Sequence, residues 1–237
     1  MGRFARIVGA VSIIAAPVLL GAADELRMFS EQATGEVGIV TESGEAEALA
    51  QFAAIARNMS MYEGAAWLAF AGALLSIPAA AAMWALAKDR SRIWAWTGLV
   101  LGVLGIVGQV VHLVGYYAHQ LLFASAIDPA IGLRVANALE EQAYFAVLFI
   151  PFFFAYLAYV PQTVALHRAR AIPLWTMIVA LAATVLFLGL GSTPISTAVW
   201  ALGLAVGLAP AALRLAGAGR ADAMDAVESQ RLEPATV

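Results

Sequence analysis

Apolar residues gather into six long runs separated by short polar stretches. The runs occupy residues 4–23, 62–87, 93–123, 142–166, 172–190 and 197–216. About 20 residues of helix cross a hydrocarbon core of about 30 Å, so the pattern predicts an all-α polytopic membrane protein, a bundle of six transmembrane helices. Polar positions supply the rest of the layout. A long polar segment at 24–61 follows the first run, a shorter one at 124–141 follows the third, and a tight turn at 191–196 follows the fifth. Within the first of these, residues 45–57 (EAEALAQFAAIAR) place Leu49, Phe52 and Ile55 on one helical face, which predicts a short surface helix.

Charge decides the orientation. Arg3 and Arg6 precede the first run, Lys88, Arg90 and Arg92 separate the second and third, Arg168 and Arg170 separate the fourth and fifth, and Arg214 and Arg220 follow the sixth. All fall on one side of the predicted bundle, so the positive-inside rule makes that side cytoplasmic, with both termini inside. The opposite side then carries the acidic segment 24–61, where Asp24, Glu25, Glu31, Glu36, Glu42, Glu45 and Glu47 face only Arg27 and Arg57. Residues 1–217 read as one transmembrane domain and 218–237 as a polar cytoplasmic tail without a regular packed fold. Residues 1–23 also have the parts of a cleavable signal peptide, but the apolar stretch is long and is read as a retained helix.

Composition agrees with this picture and removes several function classes. The chain of 237 residues is 62% hydrophobic and only 12% charged, where soluble chains carry about a quarter charged residues. Cysteine is absent, which excludes thiolate metal sites and cysteine nucleophiles. A net charge of −3 gives no reason to expect a nucleic-acid partner. The expected surroundings are the lipid bilayer of the plasma membrane, with a homo-oligomer or a membrane-complex partner and a small hydrophobic ligand as further candidates. No Walker A loop, HExxH or paired Asp-rich motif occurs.

The candidate chemistry lies in the third run. Its segment QVVHLVGYYAHQ (residues 109–120) holds two of the three histidines. At 100° per residue, Gln109, His112, Tyr116 and His119 share one stripe with Gly98, Gly102 and Gly105. The glycine half suits close helix packing, and the polar half suits a bundle interior, since polar groups in hydrocarbon are costly. Glu63 begins the second run, and Glu140 and Glu141 precede the fourth, so an outward-facing pocket of Glu63, His112, Tyr116, His119, Glu140 and Glu141 is the candidate ligand or proton site. A histidine paired with a carboxylate titrates near neutral pH and suits proton binding. His112, His119 and Glu63 are also the candidate metal ligands. However, histidines seven apart lie about 10 Å apart along the axis, where a helical zinc pair is spaced by four. Pro161–Gln162 near the end of the fourth run reads as a proline kink.

Three stretches carry a family resemblance: the first helix RFARIVGAVSIIAAPVLL, the loop end IARNMSMYEG and the basic hairpin HRARAIPLWTMIVALAATVLF. With them the chain resembles bacterial six-helix membrane proteins grouped as a domain of unknown function. The resemblance implies the six-helix layout and brings no activity or site residues. The leading functional expectation is a non-enzymatic plasma-membrane protein, accessory to a complex or binding a small ligand or proton. A membrane-embedded enzyme using metal-assisted or acid–base chemistry on a lipid-soluble substrate comes second, and a small permease subunit third. Cofactors are not indicated by any motif.

Overall fold

A computed structural model of the chain describes residues 2–31, 45–125, 128–140 and 143–232. Every regular element among the described residues is helical. In chain order these are α1 (Arg3–Glu31), α2 (Glu45–Arg57), α3 (Met59–Ala87), α4 (Arg92–His112), a π-helical turn (Leu113–Ala118), α5 (His119–Ala124), α6 (Pro129–Glu140), α7 (Ala143–Leu157), α8 (Tyr159–Arg168), α9 (Leu174–Leu190) and α10 (Pro194–Leu232).

Four stretches among the described residues are long and apolar enough to cross a membrane: Arg3–Glu31, Met59–Ala87, Arg92–Ala124 and Pro194–Gly217. They take up the first, second, third and sixth apolar runs. The fourth run is divided into α7 and α8 by a turn at Ala158. Pro161 accounts for the division: it has no N–H to give the carbonyl four residues earlier, and its ring crowds that carbonyl. The fifth run becomes α9, whose 17 residues span about 26 Å.

Many large apolar side chains point out of the bundle, while much of its interior is lined by small ones. Trp67 is 70% exposed and Leu213 72%, while alanines of α1, α3, α8, α9 and α10 fill the core. Soluble proteins do not leave such apolar area in water, and helices in lipid associate through small residues that let backbones approach. Thus α3 meets α1 where Gly72 lies under Leu20, and α10 meets α9 where Gly207 lies against Ala180. Two hydroxyls within the helices bond to their own backbone: Ser76 Oγ donates to Gly72 O at 2.9 Å and Thr184 Oγ1 to Ala180 O at 2.9 Å. For these two side chains the hydroxyl is satisfied without a partner from another helix.

The two ends of the bundle differ in charge. At one end the α3–α4 and α8–α9 turns meet, with Arg90 Nη1 donating to Ala169 O at 3.3 Å and Arg214 Nη1 to Arg170 O at 2.7 Å. At the other end α1 does not stop at Ala23, where its apolar run ends, but continues for two turns to Glu31. Residues 24–31 are therefore helix rather than loop, and Asp24, Arg27 and Glu31 pair along that helix. The short helix expected over Glu45–Arg57 is present as α2. It closes this end by setting Phe52 and Leu49 against Phe123 and Leu133, with the Phe52 and Phe123 ring centroids 5.7 Å apart.

Candidate functional site

The continuation of α1 builds a charged cluster. Asp24, Arg27 and Glu31 are spaced three and four apart, so they share one helical face. Arg27 donates from Nε and Nη2 to Asp24 Oδ1 at 2.9 and 2.6 Å, and from Nη1 to Glu31 Oε2 at 2.7 Å. Little of the three side chains reaches the surface: 13% of Arg27, 20% of Asp24 and 13% of Glu31.

Distant parts of the chain close over this triad. From the π-helical turn, the Tyr116 hydroxyl donates to Glu31 Oε1 at 3.0 Å, and its ring lies 5.6 Å from the Arg27 guanidinium. Ser192 Oγ, from the α9–α10 connection, donates to Asp24 Oδ2, and Thr197 Oγ1, from the first turn of α10, to the same oxygen at 3.1 Å. On the far side, Asn58 Nδ2 donates to Ser30 O at 3.3 Å, joining the start of α3 to α1. The cluster therefore ties together α1, the start of α3, the π-helical turn and α10.

Charge and donors are unevenly shared. Two carboxylates face one guanidinium, which leaves one formal negative charge. Asp24 receives two donors from Arg27 and two from hydroxyls. Glu31 receives one from Arg27 and one from Tyr116. Glu25 stands next to Asp24 and adds a third acid; its Oε1 is buried with no hydrogen-bond partner among the described residues.

Tyr116 links this cluster to His112. The His112 imidazole lies between two rings, 5.1 Å from Tyr116 and 4.2 Å from Phe152, both stacked. It also meets Tyr117 edge-on at 5.6 Å. His119 lies past the π-helical turn and stacks on Phe123 at 5.8 Å, with Nδ1 3.2 Å from Gly115 O. The turn changes the helical phase, because its bonds run to the fifth residue rather than the fourth. Tyr117, off the stripe drawn at 100° per residue, is thus the buried tyrosine, 3% exposed.

Glu63 is exposed on α3, Glu140 is the last residue of α6, and Glu141 lies outside the described residues. Among the described residues no group of three histidine, cysteine, aspartate or glutamate side chains comes together to hold a metal. Gly98, Gly102 and Gly105, continued by Gly108, form the face where α4 meets α7 and α8. A Cβ on Gly98 would lie 2.6 Å from Gln162 Cγ, and one on Gly105 or Gly108 would fall within the backbone of Ala155 or Phe152.

The sequence reading passed over Asp24, Arg27, Glu31, Ser192 and Thr197 as site residues. The signal was present in Asp24-x-x-Arg27-x-x-x-Glu31, whose spacing puts opposite charges on one face of a helix that runs on past its apolar part. Ser192 and Thr197 offered no such sign, since they reach the cluster only through the bundle's closure. The chain matches no protein-family model, no curated protein and no solved structure.

Proposed function

We propose that the chain is an integral plasma-membrane protein that makes six passes, keeps both termini in the cytoplasm, and binds a proton at its outward-facing Glu31 end without catalysing a reaction. The six-pass reading counts α7 with α8 as one broken crossing and α9 as a short one. Its orientation rests on Arg90, Arg92, Arg168, Arg170 and Arg214 gathering at the end opposite Glu31.

The observation that carries the proton reading is the sharing of one guanidinium by two mostly buried carboxylates, Asp24 and Glu31. An unbalanced charge away from water is costly, and a single proton removes it. Asp24 accepts four hydrogen bonds. Glu31, with two, is the carboxylate that takes the proton, and Tyr116 and the His112 stack lie behind it toward the bundle interior.

Infrared difference spectroscopy of the full chain in lipid nanodiscs, stepped from alkaline to acidic buffer, tests this assignment. A protonated-carboxyl band should appear on acidification and be missing from Glu31→Gln. A band that persists in Glu31→Gln and disappears in Glu25→Gln, or no band at all, overturns it.

A further inference from the structure

A second polar place lies within the bundle and uses none of the charged cluster. Between α1, α3, α4, α7, α8 and α10 there is a cleft with about 420 Å³ of empty space including its mouth, of which about 20 Å³ is open to a water molecule. That is room for about one water. Half of its lining is leucine, alanine, methionine and isoleucine, the rest includes Tyr156, Tyr159, Gln109, Gln162 and Trp200, and among the described residues no charged side chain lines it.

Two hydrogen-bond donors in this lining have no acceptor. Gln109 is 3% exposed and Trp200 1%, and neither Gln109 Nε2 nor Trp200 Nε1 has a hydrogen-bond partner among the described residues. Both belong to the same cleft. Gln162, the other amide there, is already committed, with Nε2 donating to Gly98 O at 3.0 Å.

The Trp200 donor is not free to turn away. The Trp200 ring is packed by Tyr156 at 5.2 Å, Phe187 at 5.4 Å and Tyr159 at 5.9 Å. Gln109 follows Gly108, which brings α4 against the backbone of Phe152. An indole N–H can only donate, and buried tryptophan normally finds a partner for it. An amide N–H left unmet in hydrocarbon is likewise costly.

We propose that this cleft is a binding site for a neutral ligand that presents an acceptor oxygen to Gln109 Nε2 and Trp200 Nε1. The absence of a charged lining residue disfavours ions, which a low-dielectric cleft would not hold unpaired. The shared chemistry is a neutral acceptor oxygen, carried by a trapped water or by the carbonyl of a lipid-soluble ketone, ester or quinone. The site stands whether or not Glu31 binds a proton, since the two share no residue.

Nuclear magnetic resonance of the full chain in nanodiscs, with the six tryptophan indoles labelled with nitrogen-15, tests the proposal. The Trp200 signal is assigned by its loss in Trp200→Phe. The probes are water alone and a medium-chain methyl ketone dissolved in the bilayer, with the alkane of equal length as control. A cross-peak from the Trp200 N–H to water that survives the ketone identifies water as the occupant. A downfield shift with ketone and not with alkane identifies a carbonyl. Gln109→Leu, which leaves Trp200 in place, should abolish the water cross-peak or weaken the ketone response about fivefold, the worth of one hydrogen bond. No water cross-peak together with equal responses to ketone and alkane overturns the proposal, as does an unchanged response in Gln109→Leu.

Discussion

Arg27→Met is the perturbation that most directly tests how the Glu31 end is held. The methionine keeps most of the stem and removes the guanidinium, with its three short bonds to Asp24 and Glu31 at 2.6 to 2.9 Å. Its contacts with Tyr116 and Ser192, at 3.4 and 3.3 Å, are long and add little. After the change Glu31 retains only the Tyr116 hydroxyl, and Asp24 only Ser192 and Thr197. Removing one partner of a fully buried ion pair costs about 3–5 kcal/mol. Because 20% of Asp24 and 13% of Glu31 are exposed, water recovers part of that, and about 2–3 kcal/mol is expected. This corresponds to roughly a 30- to 150-fold change in the unfolding equilibrium.

The excess of acid makes the response asymmetric. Glu31→Gln leaves Arg27 paired with Asp24 and removes the unbalanced charge, so its cost should be about 1 kcal/mol or less. Adding Glu31→Gln to Arg27→Met should restore about 1 kcal/mol, since it removes one of two carboxylates then left without a cation. The assay is reversible unfolding of the purified full chain in mixed micelles with increasing denaturing detergent, followed by helicity and by tryptophan emission. Arg27→Met within about 0.5 kcal/mol of the parent, or a double variant no more stable than Arg27→Met alone, would refute the reasoning.

Two further outcomes are open to the same measurement. Gly108→Ala places a methyl within the backbone of Phe152 and should cost about 1–3 kcal/mol by forcing α4 from α7; Gly189→Ala, which meets nothing within 4 Å, should be neutral or slightly stabilising. Gly191→Ala should cost about 1–3 kcal/mol, because φ 70° and ψ −170° at the end of α9 are a conformation that essentially only glycine adopts; equal unfolding midpoints for Gly191→Ala and the parent would contradict that.

The helical membrane class was legible because it depends on bulk pattern. Long apolar runs with basic residues between them leave few alternatives, and the described residues are helical throughout their regular structure. Helix ends were less legible. Hydropathy ends the first helix at Ala23, whereas α1 runs on to Glu31 because hydrogen bonding and the Asp24, Arg27 and Glu31 pairings continue it without apolar residues. Hydropathy also runs unbroken through residues 142–166, where Pro161 interrupts the hydrogen-bond ladder and leaves two helices. What a hydropathy window measures is the tendency to leave water, which says little about where a ladder stops.

The same distinction explains the polar stripe. Gly98, Gly102, Gly105 and Gly108 share a face because α4 is regular α-helix up to His112, so a fixed angle per residue describes them. Beyond His112 the π-helical turn breaks that phase, and no composition rule announces it. Its effect is to let two consecutive tyrosines serve the interior: the Tyr116 hydroxyl reaches Glu31, while the Tyr117 ring packs on Tyr62 with centroids 5.5 Å apart. In a regular α-helix neighbours are 100° apart, and a stripe that buries one turns the other aside. Such turns are rare within α-helices. What this one gains is a hydroxyl on the carboxylate that Arg27 alone leaves short of donors, with the same ring stacked on His112. Tyr116, rather than a pairing of the two histidines, is therefore the physical link between the charged end of the bundle and its interior.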